Sequence, residues 1–292
     1  MNSEGYIDLS TFTTFRIGGR PLRYVMPSGY EELTSALQLC REKDVPWRVL
    51  GGGSNLLIED GTLPFAVIHI CAPGFKWITQ VGAHAFRVGA GVRLGELMSY
   101  ARRGGHGGLE FLAGIPGTVG GTLAGNAGAW GETICDRVRR LWLTDRVGNV
   151  EEVSPDTLER SYRSLNLGER IVTEAEFELE PRAPELIAER ARELRRKKAS
   201  RHPVSEKSAG CVFKNPPTCS AGELIDRCGL KGTKCGGAEI SELHANFIVN
   251  TGTARASDVL ALVEMIKDEV RKKFKVELEL ELRHWSAQKK AA

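Results

Sequence analysis

The sequence has almost no net charge: 40 Lys plus Arg stand against 37 Asp plus Glu, leaving +3 over 292 residues. A field that weak excludes general electrostatic binding of nucleic acid. Nowhere do 18 apolar residues run together, which argues against a membrane-spanning helix. Met1-Asn-Ser-Glu-Gly5 has no basic start leading into an apolar stretch, so no secretory leader is expected. The seven cysteines are an odd number and contain no C-x-x-C pair. Cys211, Cys219, Cys228 and Cys235 lie close together, but their gaps fit no zinc template, so no metal is expected. Reduced thiols in a cytoplasmic protein are the simpler reading. The two commonest nucleotide signatures, G-x-G-x-x-G and G-x-x-x-x-G-K-[ST], are both missing.

What is present is glycine, 33 residues in all. Eleven of them fall in the 28 residues from Gly104 to Gly131, too dense for helix or strand interiors. Gly51-Gly-Gly-Ser-Asn55 follows a short apolar strand, Trp47 to Leu50, and leads into another. Together with Gly114-Ile-Pro-Gly-Thr-Val-Gly-Gly121 it offers runs of unshielded backbone N–H groups that suit a phosphate; tight structural turns are the plainer alternative.

Around these segments the chain alternates helix and strand signals. Ser28-Gly-Tyr-Glu31 reads as a capping box before Leu33, Leu37 and Cys40 at helical spacing. A strand is expected over Phe86–Gly91, then a helix over Arg93–Arg103 closed by Gly104 in a left-handed cap. Strands follow near Arg139–Thr144 and Ile171–Leu179, and Pro181 and Pro184 mark a linker. Glu185–Ser200 is helical with a basic end; its run Arg190–Lys198 is a solvated face or an anion-recruiting one. Ala221–Cys228 is a short helix capped by Gly229. From about Ser257 a long helix carries the stripe Val259, Val263, Ile266, Val270 and Phe274. Val276–Arg283 alternates as a half-buried strand, and the tail from Ser286 is frayed. A length of 292 residues suits two or three packed domains.

Leu109-Glu-Phe-Leu-Ala-Gly-Ile-Pro-Gly-Thr-Val-Gly-Gly-Thr-Leu-Ala-Gly-Asn-Ala-Gly128 and Val49–Leu57 resemble the flavin-binding stretches of UDP-N-acetylenolpyruvoylglucosamine reductases. So do Thr13–Gly19, Tyr162-Arg163, Gly210–Pro216, Ala221–Asp226 and Gly236–Phe247, in the family's order from about residue 10 to 283. The resemblance implies an α+β protein with the FAD-binding fold of the vanillyl-alcohol-oxidase type. Residues 1–75 and 76–182 would form its two FAD-binding subdomains, and 183–292 a substrate-binding domain. It further implies that NADPH passes hydride to FAD, and the reduced flavin passes it to the methylene of UDP-N-acetylglucosamine enolpyruvate, giving UDP-N-acetylmuramate for peptidoglycan. With no obvious insertion after Tyr162-Arg163, the chain resembles the shorter form of the family. A cytoplasmic monomer is expected, with no nucleic-acid or membrane partner.

The same resemblance assigns residues. Arg163 would grip the charge that builds on the substrate carboxylate, and Glu281, selected over Glu279 by the family's Leu-Glu-Pro-Glu-Val-Arg pattern, would bond the same oxygens with its pKa raised in a dry site. Where better-known members carry a proton-donating serine, this chain has Cys211. A thiol's ordinary pKa of about 8.5 lies far below that of an alcohol, so Cys211 is the expected donor; a buried apolar cysteine is the plainer alternative. FAD is assigned to Leu50, Gly51, Gly52, Gly53, Ser54, Asn55 and Leu56, with Ile115, Pro116, Gly117, Thr118, Gly120, Gly121, Asn126 and Ala127. Substrate is assigned to Tyr162, Lys198, Lys214 and Asn215, with Arg201 a further candidate for the diphosphate. Leu165, in place of a more usual serine, puts the hydrogen bonding around Arg163 in question, and Arg201-His-Pro203 stands where Gln-Pro is more familiar. His244 reads as a structural histidine. Two other functions stay open: a different FAD-dependent oxidoreductase of the same fold, or a non-catalytic UDP-sugar-binding protein.

Overall fold

The computed structural model describes residues 7–217 and 219–287; the expected absence of a leader at residues 1–5 and the fraying from 288 onward lie outside them. The described residues fold as two compact units, one of residues 23–52 and 65–197, the other drawn from 7–22, 53–64 and the part of the chain from 198 onward.

In the first unit, strands Ala85–Gly89, Val138–Thr144 and Ile171–Glu178, expected from their apolar runs, belong to a five-stranded antiparallel sheet. Ile171–Glu178 pairs in register with both of the others, Ala175 opposite Val88 and Leu141. A second sheet places Thr62–His69 between Arg20–Val25 and Trp47–Leu50, the last pair running parallel. The helix Tyr30–Glu42 buries Leu33, Leu37 and Cys40, the stripe read from its spacing. Leu33, Leu37, Ile68, Phe75, Phe86, Val88, Leu97, Phe111, Leu141 and Phe177 share one core. Burying each such side chain contributes roughly 1.5–3 kcal/mol.

Local punctuation differs from expectation at four places. Ser28 does not cap the first helix; Gly29 occupies the cap position, and Glu32 accepts the Ser28 N–H at 2.9 Å. Gly104 ends the helix Leu94–Arg103 with an ordinary negative φ, and the left-handed residue is Gly105 at +69°. The glycine-rich stretch contains a helix, Val119–Ala124, in which position 120 is held to glycine because a Cβ there would lie 2.9 Å from that of Ala90. Close packing against the neighbouring strand therefore outweighs glycine's low helix propensity. Pro181 is not linker: it pairs with His106, and Pro184 opens the helix Pro184–Ala199, a position that needs no N–H.

In the second unit the long helix Ala256–Phe274 buries Val259, Val263, Ile266 and Val270 as the stripe predicts. It packs with the antiparallel strands Lys234–Cys235, Ala238–Ile240 and Ile248–Asn250 and the helix Ala221–Arg227. The signature Thr13–Gly19 belongs here, with Phe15 and Ile17 fully buried. Asn250 donates to the Phe15 carbonyl at 3.0 Å, and Thr14 Oγ1 donates to that of Ser208 at 2.7 Å. The expected strand Val276–Arg283 is absent as a regular strand. Only Arg283–Trp285 pairs regularly, parallel to Leu56–Ile58, while Leu280 makes an isolated bridge to Phe213. The alternation reflects Leu278 and Leu282 facing the core from an irregular extended segment.

Asn246 is the polar centre of this unit. Its side chain accepts the Phe213 N–H at 2.9 Å and donates to the Phe213 carbonyl at 2.8 Å, buried to 2%. Replacing it with alanine strands both groups, each costing about 1–3 kcal/mol. Urea unfolding of Asn246→Ala is expected to show a loss of about 2–4 kcal/mol, and Asn246→Asp at least as large a loss, because its second oxygen would face the Phe213 carbonyl with no proton to donate. A loss below about 0.5 kcal/mol would contradict the clamp.

Candidate functional site

The first unit offers a cradle made of backbone. Leu50 ends its strand opposite His69, and the chain turns through Gly51 and Gly52. A Cβ on Gly51 would stand 2.6 Å from Thr118 Oγ1, and one on Gly52 2.7 Å from Gly117 Cα. At Gly52, where the obstacle is backbone, no other residue fits that approach. The facing segment is held from behind: Leu94, Val119 and Gly120 N–H groups bond the carbonyls of Gly117, Val92 and Ala90 at 2.9–3.1 Å. Ile115 is tied to Leu112 and Ala127 to Thr122, both at 2.9 Å; Pro116 and Gly121 are exposed.

Two polar atoms at this cradle lack partners. Thr118 Oγ1 and Asn126 Oδ1 are buried with no hydrogen bond among the described residues. A native chain seldom leaves such atoms unpaired, since each costs about 1–3 kcal/mol. Asn126 also holds φ at +37°, strain of the kind that gathers at ligand sites. The cradle thus fits a ligand that brings both polar groups and a surface for bare backbone to approach. A flavin dinucleotide meets both needs.

Tyr162 and Arg163 form the two-residue turn between Arg160–Ser161 and Ser164–Leu165. Arg163 sits at φ +61°, its guanidinium 5.3 Å from the Tyr162 ring centre. Its Nη1 donates to the Gly128 carbonyl at 2.6 Å, at the base of the hairpin Gly128–Ala129/Glu132–Thr133. Tyr162 is half-exposed. Leu165, which replaces a more usual serine, is a core residue of this unit.

The second unit positions Cys211 and Glu281 through the backbone of one residue, Val212. The Val212 N–H donates to the Asn246 carbonyl at 2.9 Å, and the Val212 carbonyl accepts the Glu281 N–H at 2.8 Å. Cys211 bridges Phe247 and is half-buried; Gly210 before it needs a φ of +83°. Asn55 Nδ2 donates to the Glu281 carbonyl at 3.3 Å, and the Arg283 N–H bonds the Asn55 carbonyl at 3.0 Å. Glu281 is therefore fixed from both sides of its own residue. Glu279 is instead exposed and pairs with Lys214 at 3.2 Å.

The other assigned residues have the following surroundings. Gly53, at φ +63°, lies against Phe12, where a Cβ would collide with the carbonyl; Thr14 N–H bonds its own carbonyl at 3.0 Å. Ser54 is half-buried and Leu56 buried. Asn215 Oδ1 accepts the Ala221 N–H at 3.0 Å. The Lys198 carbonyl accepts from His202, and Arg201 is exposed. His244 stacks on His202 with ring centres 4.9 Å apart, and burial, with His202 next, lowers its pKa to about 4. Sequence reasoning missed the holding role of Asn246 and the contact of Asn55 with Glu281, because neither has a local pattern. The seven cysteines form no disulfide among the described residues. Among the described residues no cluster of His, Cys, Asp and Glu could hold a metal, and no helix is long and apolar enough to cross a membrane.

Residues 21–154 match a FAD-binding domain, and residues 202–285 match the C-terminal domain of UDP-N-acetylenolpyruvoylglucosamine reductase. The reductase of that name from Syntrophobacter fumaroxidans is 40% identical over 286 residues, covering 96% of this chain and 83% of the relative. That of Geobacter metallireducens is 40% identical over 276 residues, covering 94% and 91%. The crystal structure of the Thermus caldophilus reductase superposes with a TM-score of 0.83 at 38% identity, covering 98% of this chain and all of that one.

The unpaired hydroxyl gives a test that separates stability from binding. Thr118→Val removes it at nearly constant volume, so flavin-free protein should gain about 1 kcal/mol in urea unfolding while FAD affinity falls. A variant that loses stability and keeps its affinity would contradict the cradle.

Proposed function

This chain belongs to the UDP-N-acetylenolpyruvoylglucosamine reductase family, and from that premise we propose that Cys211 is its proton donor, with Arg163 and Glu281 steadying the charge that builds on the substrate. The protein is a FAD-dependent oxidoreductase that uses NADPH to convert UDP-N-acetylglucosamine enolpyruvate into UDP-N-acetylmuramate for peptidoglycan. Bound FAD would supply the hydride transfer from NADPH to the enolpyruvyl methylene carbon.

The residues of the chain handle what that addition leaves behind. Hydride at the methylene places an electron pair on the neighbouring carbon, delocalised into its carboxylate. Arg163 meets that carboxylate with paired N–H donors, a contact that strengthens as the negative charge grows. Glu281 bonds the same oxygens in its protonated form. The Cys211 thiol gives its proton to the carbon, and solvent later restores it. The observation that carries this reading is the Val212 carbonyl, which accepts the Glu281 N–H at 2.8 Å and so ties the donor's neighbour directly to Glu281. These bonds fix the backbone from which the thiol and the carboxyl project.

Leu50, Gly51, Gly52, Thr118 and Asn126 hold FAD in this account, with Gly53, Ser54, Asn55, Leu56 and the 115–127 segment. Lys214, Asn215, Lys198 and Tyr162 take the nucleotide end of the substrate. Asn215 accepts the Ala221 N–H with its carbonyl oxygen, and its amide N–H groups would donate to the ligand. We place the reaction in the cytoplasm, carried out by a monomer with no nucleic-acid or membrane partner. The FAD-binding part divides near residues 75 and 76, and 183–292 forms the substrate domain.

Steady-state NADPH oxidation at 340 nm tests the assignment. Consumption should require the enolpyruvyl substrate. Arg163→Lys, which keeps charge but loses the fork, should lower kcat by about 10²-fold or more, and Glu281→Gln by about tenfold or more. Both variants turning over at wild-type kcat would remove these residues from the mechanism.

A further inference from the structure

The strands Arg20–Val25, Thr62–His69 and Trp47–Leu50 lie side by side, and the last residue of the middle one is a histidine that the reaction does not use. His69 is 7% exposed and lies in register with Leu50, the residue before Gly51. Its Nδ1 is 2.6 Å from Tyr24 Oη, with the rings edge-on at 5.9 Å. The same imidazole hydrogen-bonds the Gly51 backbone. The middle strand thus reaches one neighbour's phenol and the other neighbour's glycine loop with one side chain.

The directions of these bonds follow from protonation. Burial, helped by Lys76, brings the His69 pKa down to about 4, so near neutral pH the ring carries one N–H. Burial, helped by Cys71, pushes the Tyr24 phenol well above its ordinary range, so it keeps its proton. A protonated phenol beside Nδ1 donates to it, which leaves the ring's proton on Nε2. The Gly51 bond favours the protonated ring, as a bond does when the ring donates to a carbonyl. The result runs one way, from Tyr24 through His69 to the Gly51 carbonyl. A trans peptide sends its C=O and the following N–H in opposite directions. Holding the Gly51 carbonyl toward His69 therefore aims the Gly52 N–H away from it, out of the loop that packs against Gly117 and Thr118 by its Cα positions.

We propose that Tyr24 and His69 are positioning residues for the dinucleotide: their relay fixes the Gly51 peptide so that the Gly52 N–H is presented to an acceptor oxygen of FAD. This rests on the reading that the two glycine segments form the FAD cradle. Neither residue touches the reacting atoms, so the relay acts on cofactor affinity.

Flavin-stripped protein titrated with FAD, followed by flavin fluorescence, tests it alongside melting of the flavin-free form. His69→Leu should weaken FAD binding about tenfold or more and Tyr24→Phe about threefold or more. His69→Gln, whose amide can accept from Tyr24 and donate to Gly51, should stay within about threefold of wild type. Flavin-free melting temperatures should change little across the three. If His69→Leu and Tyr24→Phe bind FAD as wild type does, or if affinity only follows loss of stability, the relay is overturned; should His69→Leu not fold, Tyr24→Phe decides. Gly52→Ala in the same titration separates the two ideas. Loss of FAD by Gly52→Ala with His69→Leu unaffected refutes the relay alone, whereas a Gly52→Ala that binds normally refutes the cradle.

Discussion

The backbone of Val212, bonded through both its N–H and its carbonyl, is the constraint on which the second unit's chemistry depends. Its N–H is held by the Asn246 carbonyl and its carbonyl holds Glu281, while the Asn246 side chain locks the next residue on both edges. These groups are buried, so breaking one exposes unpaired backbone to an apolar core and not to water. Backbone bonds place a residue more firmly than packing of a long side chain does. Cys211 is thereby set beside Phe247, and Glu281 is set by Val212 on one side and Asn55 on the other.

The first unit solves a different problem. Its cradle must bring main chain within van der Waals reach of main chain at Gly52, and of the Thr118 hydroxyl at Gly51, where a Cβ would close either gap. It also keeps Thr118 Oγ1 and Asn126 Oδ1 buried without partners. Those two features make the ligand-free unit less stable than its core alone would allow. A bound cofactor that supplies the missing partners recovers that free energy, which couples binding to stability. Strain at Asn126 and Arg163 belongs to the same pattern.

Much of this was legible in the sequence, and the residues that were not share a cause. The helical stripe from Val259 to Val270 and the strands flanking the glycine turn were readable because their signal is periodic and local. The family and its α+β fold were readable from ordered motifs, and the comparisons establish both. Val276–Arg283 misled, since alternation records only which residues face the core and not whether a neighbour supplies a ladder. The short helix at Val119 was hidden by glycines that serve packing against Ala90. Asn246 and His69 were invisible for a third reason. Their partners lie 33 and 45 residues away, and nothing local distinguishes a clamping asparagine or relaying histidine from a buried ordinary one.

The claim most in need of a direct test is that a thiol replaces the alcohol as proton donor. Enzyme reduced anaerobically with NADPH and mixed with UDP-N-acetylglucosamine enolpyruvate in a stopped-flow instrument reports flavin reoxidation by absorbance. The account predicts rapid reoxidation in the wild type, a rate about 10²-fold or more lower in Cys211→Ala, and recovery of much of that loss in Cys211→Ser. An alanine variant that reoxidises as fast as the wild type would contradict it.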